Sequence, residues 1–132
     1  MDDCVFCKIV KGELPCYSVY EDPNFLAFLD IRPLNPGHTL VIPKKHYRWV
    51  WDVEDSYFTV IKKVANGIKK ALNAELIIGL VVGEEVPHAH FWLVPRFKDD
   101  GHGAILNFEN IKKISKEEMQ EIAEKIKKEI NA

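Results

Sequence analysis

VPHAHFWLVP, residues 86–95, is an apolar run that carries two of the five histidines of the chain. Its length and its aromatic and branched residues predict a β-strand. Successive side chains of a strand point to opposite faces, so His88, His90 and Trp92 are expected to share one face. Two imidazoles on one face either build a functional site or are structural polar groups that hydrogen bonds satisfy.

The segments around this stretch predict an α+β fold. A β-branched run at 75–82 and a tight turn at 83–85 precede it, which predicts an antiparallel hairpin. Three earlier strands are predicted at 17–20, 25–31 and 38–43. Helices are predicted at 4–11, 52–73 and about 115–131. The expected architecture is a five-stranded antiparallel sheet with a short N-terminal helix, a central helix and a C-terminal helix.

Three local features refine this prediction. The central helix carries an apolar stripe, interrupted by a glycine, at Phe58, Ile61, Ala65, Ile68 and Leu72. The C-terminal helix begins with a capping box, S-x-x-E at 115–118, and its apolar stripe is expected to be buried. The polar, glycine-rich residues 98–103 predict a mobile loop.

Length and charge limit the classes of function. At 132 residues the chain is expected to form one domain spanning 1–132. It has 18 basic and 20 acidic side chains and a net charge of −2, which predicts neither nucleic acid nor a membrane as partner. The sequence shows no signal peptide and no apolar run long enough to span a bilayer, so a cytoplasmic protein is expected.

Three cysteines do not make a disulfide framework, and Cys4-x-x-Cys7 is typical of metal or redox chemistry. The two thiols share a helical face and could supply half of a four-ligand zinc site. The alternative is that both are small buried residues. Any two of the five histidines could complete the site: His38, His46, His88, His90 and His102. Cys16 is expected to pack in the core.

An imidazole can act as a nucleophile on phosphorus when one ring nitrogen is free and an acceptor fixes the other. Asp30 is a polar residue inside an apolar segment, and four apolar residues bracket it or lie in the first helix: Phe6, Ile9, Phe28 and Ile31. An apolar cleft with one carboxylate at its edge suits a nucleoside, with ribose hydroxyls on the carboxylate. Plain core packing is the alternative interpretation of the four apolar residues.

Several separate blocks, in the same order along the chain, resemble the histidine triad (HIT) family over most of the sequence. The blocks are C-x-FCKI at 4–9, VYED at 19–22, FLAFLDI at 25–31, PGHTLVIPKKH at 36–46 and VPHAH at 86–90. The resemblance implies a five-stranded antiparallel sheet, a two-fold homodimer, and hydrolysis or transfer of nucleoside monophosphate groups at the α-phosphate.

The same resemblance implies a role for each matching residue. His90 would be the nucleophile that forms a covalent nucleotidyl-imidazole, the His88 carbonyl would orient its ring, and His38 would act on the phosphate side. Asp30 would contact the ribose of a purine nucleotide or nucleoside phosphoramidate, whose base would lie against Phe6, Ile9, Phe28 and Ile31. A structural zinc ion is implied, with four ligands: Cys4, Cys7, His46 and His88.

The sequence departs from the family pattern at two places. The third triad position is Trp92, whose indole would contact the nucleotide but cannot supply a proton near neutral pH. Gly83 is followed by Glu84 and Glu85, where relatives carry glutamine and a polar residue, and a carboxylate repels phosphate. These departures leave a second hypothesis open beside the enzyme: a zinc-stiffened nucleotide-binding module with little or no turnover.

Overall fold

The computed structural model describes residues 3–132, which form five strands and three α-helices. The helices are α1 (Val5–Val10), α2 (Ser56–Leu72) and α3 (Lys116–Ile130), with a 3-10 turn at Val50–Asp52. The strands are β1 (Ser18–Glu21), β2 (Phe25–Leu29), β3 (Thr39–Pro43), β4 (Leu76–Leu80) and β5 (Phe91–Arg96). None of these helices combines the length and the apolar character needed to cross a bilayer.

The five strands form one antiparallel sheet in the order β1-β2-β3-β5-β4. Both faces of its centre are covered, because every residue of β2 is buried. Ala27 and Leu29 face a core that α2 and α3 complete, whereas Leu26 and Phe28 face a smaller cluster closed by α1. This alternation along one strand places the two apolar cores on opposite faces. The predicted five-stranded α+β fold is confirmed.

The central helix begins four residues later than predicted. Its buried face is rotated by about one residue relative to the predicted apolar stripe. Tyr57 is fully buried and its hydroxyl donates to the carbonyl oxygen of Val41 over 2.6 Å, whereas Phe58 is 37% exposed. A tyrosine can enter a core when its hydroxyl finds an acceptor. The acceptor belongs to a distant strand, so the periodicity of the helix alone assigned the wrong aromatic residue to the core.

The C-terminal helix follows its prediction closely. The backbone N–H of Glu118 donates to Ser115 Oγ over 3.1 Å, which caps the helix as expected. Met119, Ala123 and Ile126 are buried, and α3 packs against α2 of the same chain.

The stretch 86–95 is only partly a strand, which corrects the first prediction. β5 begins at Phe91, and residues 81–90 form a long connection from β4 rather than a tight turn. The reason lies outside the stretch: the N–H of Ala89 donates to the carbonyl oxygen of Tyr47 over 2.7 Å instead of to a neighbouring strand. His88 and His90 therefore lie immediately before the strand, with Trp92 inside it.

The loop 98–103, which its composition predicts to be mobile, is held by several hydrogen bonds to Asp100. Asp100 accepts hydrogen bonds from Arg96 Nε at 2.8 Å, Asn35 Nδ2 at 2.9 Å and the N–H of Phe97 at 3.0 Å. The Arg96 guanidinium, with these donors, holds the pKa of Asp100 well below its usual range. A buried carboxylate with several donors fixes the loop, although its composition is that of a turn.

Candidate active site and metal centre

His90 lies at the wall of a large cavity. Its Nδ1–H donates to the carbonyl oxygen of His88 over 2.7 Å, so Nε2 carries the lone pair. The imidazole is 5% exposed and meets the edge of the Phe6 ring at a centroid distance of 5.2 Å. A ring with one nitrogen held by a backbone carbonyl and the other free is the arrangement that a nucleophilic histidine needs.

The cavity has a volume of about 1040 Å³, and all six residues predicted to contact a nucleotide line it. They are Phe6, Ile9, Phe28, Asp30, Ile31 and Trp92. Phe6 and Phe28 belong to the smaller core and meet edge to face, whereas Ile31 is 77% exposed at the mouth. The walls near His90 are therefore mainly apolar, as expected for a site that binds a planar base.

Asp30 places a carboxylate among these apolar walls. Its Oδ1 accepts from the N–H of Arg32 over 2.8 Å, and its side chain is 19% exposed. Burial raises the pKa of Asp30, the Arg32 N–H opposes that shift, and the charge of Glu85 adds to it. Glu85 lines the same cavity, whereas Glu84 does not.

His38 lies behind the cavity wall. His38 is 1% exposed, and its side chain does not line the cavity. Its Nδ1 accepts from the N–H of Leu34 over 3.1 Å, which leaves the proton on Nε2, 3.6 Å from Asp30 Oδ2. Burial, with a smaller contribution from His102, lowers the pKa of His38 to about 3, so the ring is neutral.

Trp92 separates His38 from the cavity. The indole lies 4.8 Å from the His38 ring on one side and 5.7 Å from Phe108 on the other, between ring centroids. Its buried Nε1–H meets no acceptor within residues 3–132. Phe108 is 52% exposed and belongs to the connection before α3. Sequence reasoning missed Phe108, because no local pattern indicates that this connection returns to the site.

A second cluster joins α1 to the connection before β5. Sulfur-to-nitrogen distances are 3.4 Å from Cys4 to His88 Nδ1, 3.5 Å from Cys7 to the same atom, and 3.2 Å from Cys7 to His46 Nδ1. Four ligand atoms, one from each of these residues, lie within 4.8 Å of one another. Of the five candidate histidines, His46 and His88 are at this cluster, and His38, His90 and His102 lie elsewhere.

The donor set fits a tetrahedral metal ion. Zinc bonds of about 2.3 Å to sulfur and 2.0–2.1 Å to nitrogen give sulfur-to-nitrogen edges of roughly 3.6 Å. The separations of 3.2 to 3.5 Å are close to that value. His88 Nε2–H donates to the carbonyl oxygen of Pro43 over 2.8 Å, which fixes the tautomer and leaves Nδ1 to face the sulfurs. The four residues can therefore hold a metal ion.

Cys16 does not lie in this cluster. It is half-buried against the smaller core, as expected, but it also lines the large cavity. No local pattern predicts this position, because residues 14–18 reach the cavity only through the path of the chain after α1.

Comparisons with known proteins agree with this architecture. A family profile described as HIT domain matches residues 11–99. An uncharacterized HIT-like protein of Borreliella burgdorferi is 46% identical over 114 residues, covering 78% of this chain and 82% of that protein. An adenosine 5'-monophosphoramidase of Schizosaccharomyces pombe is 34% identical over 132 residues, covering 96% of this chain and 98% of its own length. The crystal structure of a zinc-bound histidine triad family protein from Mycobacterium smegmatis is 31% identical, with a TM-score of 0.77, covering 98% of this chain and 94% of that one.

Proposed function

The chain belongs to the HIT family, and from that premise we propose that it is a nucleotide hydrolase or nucleotidyl transferase acting at the α-phosphate of a nucleoside phosphoramidate or a related nucleotide. The observation that carries the proposal is the geometry of His90. Its Nε2 is free at the wall of a cavity large enough for a nucleotide, while Nδ1–H is held by the His88 carbonyl. A relative that spans nearly the whole chain is named as an adenosine monophosphoramidase.

In the proposed reaction His90 Nε2 attacks the α-phosphorus. A phosphorus–nitrogen bond to His90 forms as the bond to the leaving amine breaks, and the amine takes a proton from solvent water, because the indole of Trp92 cannot supply one. The nucleotidyl-imidazole carries positive charge, which the His88 carbonyl stabilises through Nδ1–H. Water then attacks phosphorus and gives up a proton to the solvent as the bond between phosphorus and Nε2 breaks. The electron pair of that bond returns to Nε2, and the nucleoside monophosphate is released.

The remaining residues bind and position the substrate in this proposal. The base lies between the apolar side chains of the cavity: Phe6, Ile9, Phe28 and Ile31. Asp30 accepts hydrogen bonds from the ribose hydroxyls, and Trp92 contacts the nucleotide beside the phosphate. His38 supports the phosphate side from behind, because it lies against the Trp92 ring and 3.6 Å from Asp30.

We assign a structural zinc ion to Cys4, Cys7, His46 and His88, since four protein ligands leave no open position for a catalytic water. When bound, the ion would stiffen the junction between α1 and the connection before β5. His88 then has two tasks: its ring faces the metal centre and its carbonyl oxygen fixes the nucleophile. A zinc-bound member of the family, similar over 98% of this chain, supports this assignment.

We also propose that the protein is cytoplasmic and forms a homodimer, of which the family resemblance implies the dimer. β4 is an edge strand whose outer side has no partner strand within residues 3–132, and its Leu76 is 49% exposed. An exposed apolar edge favours association with another copy. Sedimentation equilibrium at micromolar concentration would measure a mass twice that of the chain, and a monomer would refute the dimer.

The test of the activity is hydrolysis of an adenosine phosphoramidate by the zinc-loaded protein. The wild type should release adenosine monophosphate, and His90→Asn should reduce the rate by at least about 10³-fold, because it removes the nucleophile. Equal melting temperatures of the two proteins would exclude misfolding as the cause. A mutant that hydrolyses as fast as the wild type would show that His90 is not the nucleophile.

A second candidate function is a nucleotide-binding module without efficient turnover. Two observations favour it: Trp92 occupies the third triad position, and the Glu85 carboxylate lines the cavity. Calorimetry would then detect nucleoside monophosphate binding, and a panel of phosphoramidates and dinucleoside polyphosphates would remain intact. Robust turnover of any one of them excludes this candidate.

A further inference from the structure

The cavity that holds His90 continues well past the residues proposed to bind the base. Its lining includes residues 14–18, which lead from α1 into β1, and one face of α3. At about 1040 Å³ it is at the upper end of the range of roughly 300–1,000 Å³ found for small-molecule sites. A nucleoside monophosphate placed against His90 would leave this second part of the cavity free.

The two parts differ in charge. Near His90 the charged lining groups are the carboxylates of Asp30 and Glu85. At the α3 end the lining contains Lys116, Glu124 and Lys127, which together carry one net positive charge. Lys127 is half-buried near Cys16. Burial raises the pKa of the Cys16 thiol, and the positive charge of Lys127 opposes that rise.

The two lysines have no competing partner within hydrogen-bond reach. Neither Lys116 nor Lys127 forms an ion pair with a carboxylate among residues 3–132. Gln120 lies one turn from each of Lys116 and Glu124 on the same face of α3, and its amide can donate to an anion. Apolar side chains, Leu14 and Ala123 among them, complete the walls between this end and the base region.

We propose that this part of the cavity is a second subsite, which takes an anionic substituent carried on the base of the nucleotide. The inference rests on the proposed function, because that function places the base against Phe6 and Phe28. The same cavity continues from Phe6 and Phe28 to residues 14–18 and α3, so a substituent on the base has room to extend in that direction. A short alkyl chain on the base would cross the apolar walls and bring a terminal carboxylate to Lys116 or to Lys127, which lie too far apart along α3 to pair with one carboxylate together.

The test compares three ligands by calorimetry with the full-length, zinc-loaded protein at low ionic strength. They are adenosine monophosphate, its N6-carboxyalkyl derivative, and an N6-alkyl derivative of equal length without the carboxylate. The carboxyalkyl nucleotide should bind about two- to fivefold more tightly than the uncharged one, the range for one solvent-accessible ion pair. In the double variant Lys116→Gln/Lys127→Gln the two derivatives should bind equally, while adenosine monophosphate binds as before.

Lys128→Gln is the matched control, because Lys128 lies on the same helix but does not line the cavity. It should retain the preference for the carboxylate. Equal affinities of the two derivatives for the wild type would overturn the subsite, and so would a preference that survives the double variant. If adenosine monophosphate binds in either case, the proposed function stands without the subsite. If none of the three ligands binds, both proposals fail.

Discussion

The indole ring of Trp92 lies against the imidazole of His38, with ring centroids 4.8 Å apart and planes tilted by 51°. Each residue holds an N–H group, Trp92 Nε1 and His38 Nε2, that has no hydrogen-bond acceptor within 3.5 Å in the described chain; Asp30 Oδ2 lies just beyond that distance, 3.6 Å from His38 Nε2. Two adjacent unsatisfied donors are unusual in a buried position, since such groups normally find partners. Trp92 lines the cavity beside the proposed phosphate position and His38 lies behind it, so the residue at position 92 bears on how the leaving group is handled.

Replacing Trp92 by histidine should increase turnover of substrates with poor leaving groups. An imidazole at this position can deliver a proton, which the indole cannot, and general acid catalysis contributes about 10²–10⁴-fold where it operates. We expect kcat for phosphoramidates of basic amines to rise at least about tenfold in Trp92→His. Trp92→Phe, which removes the N–H but keeps an aromatic ring, is the control and should not show the gain. Identical rates for the wild type and Trp92→His would show that protonation at this position does not limit the reaction.

Replacing Glu85 by glutamine should strengthen nucleotide binding. The Glu85 carboxylate lines the cavity with His90, and its negative charge repels an incoming phosphate. We expect KM to fall about two- to fivefold in Glu85→Gln at low ionic strength, and the difference to shrink as salt screens the charge. Glu84→Gln is the matched control, because Glu84 does not line the cavity. A KM that falls equally in both variants would indicate a general charge effect rather than a local one.

Removal of the metal should destabilise the protein before it affects chemistry. Chelation, or Cys7→Ser, should lower the melting temperature by roughly 10 °C, because metal-binding free energy contributes to folding free energy. Elemental analysis should find about one zinc per chain in the wild type and in Cys16→Ser, whose thiol lies outside the cluster. Activity should decline only as the protein unfolds. Loss of activity in a chelated protein that remains folded would indicate that the ion takes part in the reaction.

Mild acid should destabilise the fold through His38. Its pKa is about 3 in the folded state and about 6.5 in an unfolded chain, so between these values the unfolded state binds a proton that the folded state does not. The free energy of unfolding therefore falls as the pH drops, by about 2–3 kcal/mol between pH 7 and pH 4.5. Denaturant titrations of His38→Asn, whose amide oxygen can accept from the Leu34 N–H, should show a weaker dependence over this range. An unchanged dependence would assign the effect to other groups.

The fold could be predicted because its strongest signals are local. The alternating faces of β2 and the capping Ser115 of α3 follow from the residues of those segments alone. The start of β5 could not be predicted in this way. The backbone of residues 86–90 is held by Tyr47, and the His88 ring is held by Pro43, neither of which is near in sequence.

The candidate site also combines features that the local sequence predicts with features that depend on distant residues. The spacing of Cys4 and Cys7, and of His88 and His90, indicated which residues to consider, and the structure brings them together in two adjoining clusters. The depth of His38 behind Trp92 depends on packing between three segments, which periodicity does not encode. The fixed loop around Asp100 has the composition of a flexible turn, and only its partners Arg96 and Asn35 show otherwise.

Gly67 illustrates a residue whose role depends on a distant element. It weakens the helical pattern of α2, yet it is buried where Ile130 of α3 packs, and a Cβ at this position would overlap the Ile130 side chain. Gly67→Ala gains up to about 1 kcal/mol of helix propensity but incurs an overpacking cost of about 1–3 kcal/mol. We expect a net loss of about 1 kcal/mol in chemical denaturation.

The exposed neighbour provides the control for this last prediction. Asn66 lies on the same turn of α2, and its side chain is exposed. Asn66→Ala therefore changes helix propensity alone and should leave the free energy of unfolding unchanged or slightly increased. In the background Ile130→Ala, which removes the overlapping atoms, Gly67→Ala should become stabilising by up to about 1 kcal/mol. If Gly67→Ala stabilises the wild-type background as well, α3 does not approach α2 as closely at this glycine as the structure shows.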